Sequence, residues 1–380
     1  MNHLAADPPT PATPSTVAVD YERLLSFTAA VFAAHGLDED RDHTAAQALC
    51  YGDLTGMDSH GLRNLTRLYL PLLDSGRADP TARTRIVTDR GASVLIDAQR
   101  SLGLYTASEA MDLATERAAS YGVGVVSVRD ATHFGCAGYH ARRATEHGMI
   151  GIVAANCGRQ RIARPPGGRT PLLGTNPLSV AAPAAKGHPF VLDMSTTAAP
   201  TGRIREAARA GHEIAAGVLA DDAGNPVTDP AAFDRGHAHL QWLGGSVGTY
   251  KGFGLALAVE VLAAVLSGAG MGPEPEALAG DGRPGGRDDD IGFFVAALAP
   301  AALRPAAAAA EAAVSLFETV LACPPSHDGE PVRYPGWHEA QRAIERRRWG
   351  VPLPLPLYQE IHEVAATYGL AAPETLEGRR

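Results

Sequence analysis

Apolar residues recur every three or four positions through the first part of the chain. This spacing is that of one face of an α-helix, and it predicts helices over 20–35, about 40–52 and about 58–75. Asp58 or Ser59 can provide the N-cap of the third helix because both side chains accept hydrogen bonds from free backbone N–H groups. The N-terminal region is therefore predicted to be helical.

Beyond about residue 85, short apolar runs alternate with amphipathic segments. The runs predict strands over 93–98, 123–129, 149–156, 178–184, 190–195 and 293–299. The amphipathic segments predict helices over 106–122, 137–148, 250–267, 306–321, 337–348 and 355–369. This alternation predicts an α/β fold with a shared sheet, and taken alone it favours parallel β-α-β units. Segment 270–290 is rich in Gly, Pro and Asp and is predicted to be a loop or a disordered excursion, its Asp288–Asp290 run solvated.

Charge and cysteine content narrow the class of protein. The chain of 380 residues has 33 basic and 42 acidic side chains, which argues against nucleic-acid or anionic-membrane partners. The first 17 residues lack the features of a secretory signal, and no uninterrupted apolar run approaches the roughly 18 residues of a membrane span. The 4 cysteines are isolated, so neither a metal site nor a disulfide framework is indicated. We expect a soluble cytoplasmic protein with a small-molecule partner.

Four segments combine polar residues with apolar or glycine-rich surroundings. They contain His60 after Ser59, His133 at a predicted strand-to-helix turn, Asp193 at the end of a buried strand, and Lys251 in a glycine-flanked helix start. A histidine that changes charge near pH 7 suits proton transfer, a buried carboxylate can orient it, and a lysine can meet phosphate or carboxylate oxygens. Each residue also fits a purely structural role, as a helix cap, a turn or a solvated side chain. No G-x-G-x-x-G motif lies between a strand and a helix, so a Rossmann site is not indicated.

Taken in order, these segments resemble the type 2 malate/L-lactate dehydrogenases, a non-Rossmann group that includes ureidoglycolate and sulfolactate dehydrogenases, diketogulonate reductase and Δ1-piperideine-2-carboxylate reductases. The resemblance extends from about 20 to 370. It rests on GMDSHG (56–61), THFGCAGYHARRATEHGMIGIVAAN (132–156), PPGG (165–168), LGTNPLSVAAP (173–183), FVLDMSTTAAPTGRI (190–204), DDAGNPVTDP (221–230), GTYKGFGLALAVEVLAAVLSGA (248–269), YPG (334–336) and GVPLP (350–354).

The resemblance implies a mainly antiparallel seven-stranded sheet with helices, plus a helical portion formed by both chain ends. The Pro- and Thr-rich residues 1–17 are predicted to be a disordered tail. The resemblance implies a helical domain from 18–80 with 300–380, and a cofactor- and substrate-binding domain over 81–299, with 270–290 as an insertion. The implied activity is hydride transfer between NAD or NADP and a 2-oxo or 2-hydroxy acid, in a homodimer. The alternatives are a cyclic imine reductase, a catalytically silent cofactor-binding member and, less favoured, a hydrolase using Ser59 and His60. The choice between NAD and NADP stays open.

The resemblance also implies individual roles. His60 would be the general acid, Ser59 and Asp193 would orient it and relay the proton, and His133 is the competing acid/base. Cofactor-binding positions would be Met194, Ser195, Thr196, Lys251, Gly252, Asn156, Cys157, His133, Pro335 and Gly336.

The sequence departs from the family at the substrate anchor. Many members have arginine four residues after the motif histidine, where this chain has Asn64. Arg63 and Arg67 flank that position, and Arg159 or Arg161 could supply an alternative carboxylate anchor. Trp337 follows Pro335–Gly336 where relatives have glutamate, which can alter contacts at the edge of the cofactor.

Overall fold

Helices form both ends of the chain and strands lie mainly between them. The computed structural model describes residues 16–185, 187–279, 283–326 and 330–376. The helices are α1 (Tyr21–Ala34), α2 (Glu39–Thr55), α3 (Leu70–Asp74), α4 (Gly103–Tyr121), α5 (Ala137–Arg143), α6 (Thr201–Ala210), α7 (Ala231–Asp234), α8 (Gly245–Glu260), α9 (Ala306–Leu321), α10 (Trp337–Trp349) and α11 (Leu355–Tyr368). The strands are β1 (Thr16–Val19), β2 (Arg85–Asp89), β3 (Ser93–Asp97), β4 (Val123–Ala131), β5 (Ile150–Ala155), β6 (Leu178–Ala185), β7 (His188–Met194), β8 (Leu219–Ala220), β9 (Pro226–Val227), β10 (His239–Leu240), β11 (Ile291–Leu298) and β12 (Val351–Pro354).

The large sheet has seven strands in the order β2-β3-β4-β11-β5-β6-β7. Its β3–β4 pair is parallel and the other pairs are antiparallel. The predicted mainly antiparallel sheet is confirmed, whereas the parallel units favoured by alternation alone are wrong beyond β3-α4-β4. The reason is that β11 arrives from far along the chain and inserts between β4 and β5. Local pattern carries no information about such an insertion.

The two ends of the described chain meet. β1 pairs with β12 in antiparallel register, and α1, α2 and α11 contribute side chains to the same hydrophobic cluster. A second cluster lies between the large sheet and its helices. α9 lies beside this sheet, with the Phe317 and Phe190 ring centroids 5.5 Å apart. The predicted division at residues 80 and 299 stays a prediction.

Three local expectations differ from the structure. The third helix does not begin at Asp58 or Ser59: Asp58–His60 is a single 3-10 turn, and Gly61 then adopts an extended backbone. Helix resumes afterwards through the π turn Leu65–Tyr69 into α3. Residues 1–15 of the predicted tail lie outside the described residues, but Thr16 and Val17 belong to β1. β2 escaped prediction because all its residues are exposed and show no alternation.

The described parts of segment 270–290 pack against the rest of the protein. Arg161 and Gly285 exchange backbone hydrogen bonds of 2.7 and 2.9 Å. Asp288 forms a 2.5 Å ion pair with Arg77, which also binds Asp289, and Asp290 accepts a hydrogen bond from a β4 backbone N–H. The expectation of a solvated acidic run is therefore wrong, because these carboxylates meet cations and backbone donors.

One helical stretch, Val247–Val265, is long and apolar enough to cross a membrane by length and composition alone. It is not an uninterrupted apolar run, because glycines, Thr249, Lys251 and Glu260 interrupt it. Glu260 lies on the buried face and accepts hydrogen bonds from the side chains of Asn156 and Asn176 at 3.1 and 2.8 Å. A helix that packs inside a protein can have the same length and apolar composition as a membrane-spanning helix. This single stretch is therefore weak support for a membrane span.

Candidate active site

The turn that carries His60 is fixed to α2 by a buried carboxylate. Asp53 accepts a 2.6 Å hydrogen bond from the Leu62 N–H and is 4% exposed. A Cβ atom at Gly61 would collide with this carboxylate, so the close approach requires glycine. Ser59 Oγ lies 2.9 Å from His60 Nδ1 and can orient the ring. Asp53 was missed from sequence because it looks like an ordinary polar residue within a helix.

His60 and His133 lie side by side. Their ring centroids are 5.8 Å apart, with 25° between the ring planes. The Gly135 N–H donates to His133 Nδ1 at 3.1 Å, and the Tyr69 hydroxyl lies 2.8 Å from the same atom. Nδ1 is thus an acceptor, so the neutral His133 ring carries its proton on Nε2. The structure therefore brings both predicted acid/base residues into one site and adds Tyr69, which the sequence did not indicate.

The pKa values of both histidines lie below their usual range. Burial, assisted by the positive charge of Arg67, lowers the pKa of His60 to about 4. Burial also lowers the pKa of His133 to about 3, with His60 adding to the shift and Asp288 opposing it. These lowered pKa values depart from the expectation of a histidine that titrates near pH 7. An anion that neutralised Arg67 would raise the pKa of His60 towards its usual range.

Asp193 is hydrogen-bonded to α5 and has no described hydrogen bond to the predicted proton relay. Its carboxylate accepts a 2.7 Å hydrogen bond from the Gly138 N–H, in the first turn of α5. Burial raises the pKa of Asp193 to about 6, and the Gly138 N–H opposes the shift. In the described part of the chain no hydrogen bond joins it to Ser59 or His60, because β7 directs the carboxylate towards the free N–H groups of α5. The carboxylate next to the His60 turn is Asp53.

Asn64 and Arg67 form a hydrogen-bonded pair beside His60. The buried Asn64 amide donates to the Ser59 carbonyl at 3.0 Å, and its oxygen accepts a 2.9 Å bond from Arg67. Arg63 instead forms a 3.0 Å ion pair with Glu206 of α6. Of the predicted substrate anchors, Asn64, Arg63 and Arg67 are thus brought together.

Arg159 is not part of this group. It forms a 3.5 Å ion pair with Glu274, and a Cβ atom at Gly270 would lie 3.1 Å from its side chain. These partners belong to segment 270–290, and no described contact links Arg159 with His60 or Arg67. Its predicted role in binding substrate has no support in this arrangement.

Two of the predicted cofactor residues, Thr196 and Gly252, meet near the start of α8. The Leu243 N–H donates to the Thr196 carbonyl at 3.0 Å, and a Cβ atom at Gly252 would lie 2.5 Å from Leu243 backbone atoms. Thr196 and Gly252 are thus brought together. Lys251 is exposed, its Nζ 5.8 Å from the Tyr250 ring centroid, with no carboxylate partner among the described residues.

Other predicted cofactor positions have structural partners. Asn156 uses both ends of its amide, donating to Glu260 and Gly270 and accepting from Gly292 and Gly158. Three further contacts complete the set: Cys157 Sγ lies 3.6 Å from Thr175 Oγ1, Ser195 Oγ donates to the Thr197 carbonyl at 3.0 Å, and the Pro335 carbonyl accepts from Val191 at 3.0 Å. Met194 ends β7, and Gly336 approaches the same strand so closely that a Cβ atom would lie 2.7 Å from Val191 N. Their roles in cofactor binding stay predictions. No cluster of three potential metal ligands occurs among the described residues.

Comparisons with known proteins concern the chain as a whole. A family model described as malate/L-lactate dehydrogenase matches residues 19–362. The malate dehydrogenase of Pyrococcus abyssi is 36% identical over 255 residues, covering 66% of this chain and 69% of that protein. A Delta(1)-pyrroline-2-carboxylate/Delta(1)-piperideine-2-carboxylate reductase from Pseudomonas putida is 32% identical over 258 residues, covering 68% and 73%. The solved structure of malate dehydrogenase from Entamoeba histolytica has a TM-score of 0.86 at 28% identity, covering 95% of this chain and 100% of that one.

Proposed function

Because the chain belongs to the malate/L-lactate dehydrogenase family, we propose that it transfers hydride between NAD or NADP and a 2-hydroxy or 2-oxo acid, with His60 as the acid/base. The observation that carries the assignment of His60 is the 2.9 Å contact of its Nδ1 with Ser59 Oγ, on the same turn that Asn64 joins to Arg67. Both a proton carrier and a cation for the substrate carboxylate are thereby present at one point.

In the oxidative direction the substrate carboxylate pairs with Arg67, which Asn64 holds at the site. Ser59 Oγ accepts a hydrogen bond from the Nδ1–H group of neutral His60. Nε2 then has no proton and can take the proton of the substrate hydroxyl. A bound nicotinamide would supply the acceptor for the hydride that leaves the substrate carbon. In the reductive direction the substrate carboxylate offsets the charge of Arg67, so that protonated His60 is stabilised and can donate to the carbonyl oxygen.

The start of α8 fits a dinucleotide. Because Gly252 has no side chain, the Leu243 backbone can lie directly against it. Lys251 offers a free cation in the first turns of the helix, where the helix dipole also favours anions. A pyrophosphate or ribose phosphate has the matching charge. Cofactor binding here does not require the glycine fingerprint of a Rossmann fold.

Lys251→Ala should raise the dissociation constant of the reduced cofactor about tenfold, the effect of losing one charge-assisted hydrogen bond. Lys251→Arg keeps the charge and should retain most of the affinity. Titration of nicotinamide fluorescence with NADH and NADPH measures both variants. An unchanged constant in Lys251→Ala would make Lys251 an ordinary surface lysine.

We also propose that the protein is a homodimer that uses the C-terminal half of α8 and the π turn after it. Leu257, Val261 and Val265 recur four residues apart and are 39%, 55% and 61% exposed. The only charged residue between 254 and 268 is Glu260, which is buried. An uncharged apolar stripe matches a second copy of itself across a two-fold axis better than it matches a charged partner.

The double change Val261→Glu with Val265→Glu should convert the dimer to a monomer, because like charges would face each other across the axis. Light scattering coupled to gel filtration gives the mass directly. A dimeric double variant would place the interface elsewhere, and a monomeric wild type would contradict the homodimer.

The activity is tested by loss of reduced-cofactor absorbance with a panel of 2-oxo acids and cyclic imine carboxylates. Reduction of a cyclic imine is the second candidate activity, because His60 could equally protonate the imine nitrogen. A reductase of this kind is among the relatives. Turnover of imines without turnover of oxo acids would favour it. Cofactor binding without oxidation of NADH or NADPH by any compound would favour a catalytically silent protein.

A further inference from the structure

The first turns of α6 cover the His60 site. A Cβ atom at Gly202 would lie 3.3 Å from Ser59 Cβ and 4.0 Å from a terminal nitrogen of Arg67. Four residues on, Glu206 reaches Arg63 with a 3.0 Å ion pair. These two contacts identify the face of α6 that is turned towards the site.

Arg209 lies on that same face, because positions 202, 206 and 209 have the spacing i, i+4, i+7. Its positive charge contributes to lowering the pKa of Arg67, ahead of the charges of Arg205 and Arg63 and after burial. Arg205 is occupied by a two-pronged ion pair with Asp234, at 3.0–3.2 Å. Neither Arg67 nor Arg209 has a carboxylate partner in the part of the chain that the structure describes.

The positive charges of Arg67 and Arg209 repel, with the charge of Glu206 opposing this effect at Arg67, and a cluster of guanidinium groups is stabilised when anions bind to it. One anion is the carboxylate next to the reacting carbon, at Arg67. We infer that Arg209 binds a second anionic group at the other end of the substrate, so that the enzyme prefers 2-hydroxy and 2-oxo acids with two negative charges over those with one. This inference rests on the proposed function and specifies its substrate class.

L-Malate and L-lactate test the inference, because both are 2-hydroxy acids and malate has the extra carboxylate. Wild type should show a kcat/KM for malate at least about tenfold above that for lactate, mainly through KM. In Arg209→Ala this malate-to-lactate ratio should fall about 10–100-fold, as expected for loss of a bond between charged groups. Arg209→Lys should restore part of it.

Arg203→Ala is the matched control, since Arg203 lies on the same helix but outside the face defined by Gly202, Glu206 and Arg209. It should leave the ratio unchanged. A ratio unaffected by Arg209→Ala, or lowered equally by Arg203→Ala, would overturn the inference, as would a wild type that prefers lactate.

Failure of the proposed function is distinguishable from failure of this inference. If no 2-oxo or 2-hydroxy acid of the panel is turned over with either cofactor, the proposed function fails, and calorimetric binding of malate and lactate in the presence of oxidised cofactor then decides the inference. Tighter binding of malate that is lost in Arg209→Ala supports it, and equal binding of the two acids contradicts it.

Discussion

His60→Ala should lower kcat by about 10²–10⁴-fold while leaving cofactor affinity largely unchanged, the usual effect of removing a general acid/base. The reason is that His60 is oriented by Ser59 and its pKa is lowered by Arg67. The proposed cofactor contact, Lys251, lies on α8, a different element from the His60 turn. Steady-state rates with a 2-oxo acid and fluorescence titration of the cofactor separate the two effects.

His133 provides the matched comparison, since it is equally buried and stacks on His60. Its Nδ1 is already occupied by Gly135 and Tyr69, which suits a residue that supports the site. His133→Ala should therefore cost less than His60→Ala. A dead His133→Ala beside a nearly normal His60→Ala would move the acid/base assignment to His133.

Asp53→Ala should have the second large effect, on both stability and rate. It leaves the buried Leu62 N–H without its acceptor, which costs about 1–3 kcal/mol of unfolding free energy. It also frees the turn that positions His60, and a misplacement of about 1 Å can lower kcat about 10²-fold. Denaturant unfolding and steady-state kinetics measure the two effects.

Asp53→Asn is the control because it keeps an oxygen acceptor of the same shape and should retain most of the stability and rate. Loss of activity in Asp53→Asn as severe as in Asp53→Ala would mean that the charge of Asp53, and not its support of the turn, is what matters.

The same residue predicts a pH dependence. Burial raises the pKa of Asp53 from 3.8 to about 7, with the Leu62 N–H opposing the shift. The folded protein therefore binds more protons at this group than the unfolded chain does between those values. The stability contributed by Asp53 should fall as pH rises from about 4 to about 7, and Asp53→Asn should remove this part of the dependence. Parallel curves for the two proteins would contradict the assignment.

The sequence identified those parts of the site that stand out locally. His60, His133 and Lys251 each interrupt an apolar or glycine-rich run, and the order of such runs resembles one family. Most helices and strands were predicted for the same reason, since each has its own periodicity. The mainly antiparallel sheet came from the resemblance, because pairing between distant strands such as β4 and β11 leaves no local pattern.

Contacts between distant residues could not be predicted. Asp53 and Tyr69 become part of the site only when α2 and the π turn before α3 meet around the His60 turn, and the face of α6 proposed to carry Arg209 to the substrate is defined by the same packing. Asp193 was assigned to that turn on the strength of the resemblance, yet β7 points it at the Gly138 N–H. The proposed role of Asn64 in substrate anchoring could not be predicted either, because it depends on the hydrogen bond that Asn64 accepts from Arg67.

The central claim is hydride transfer to the 2-carbon of an oxo acid with His60 supplying the proton. Reduced nicotinamide labelled with deuterium at the transferring position tests it most directly, with the product analysed by mass spectrometry. Wild type should yield a 2-hydroxy acid with one deuterium on the 2-carbon, and His60→Ala should yield almost none in the same time. Product without deuterium on that carbon, or equal labelled product from both proteins, would contradict the account.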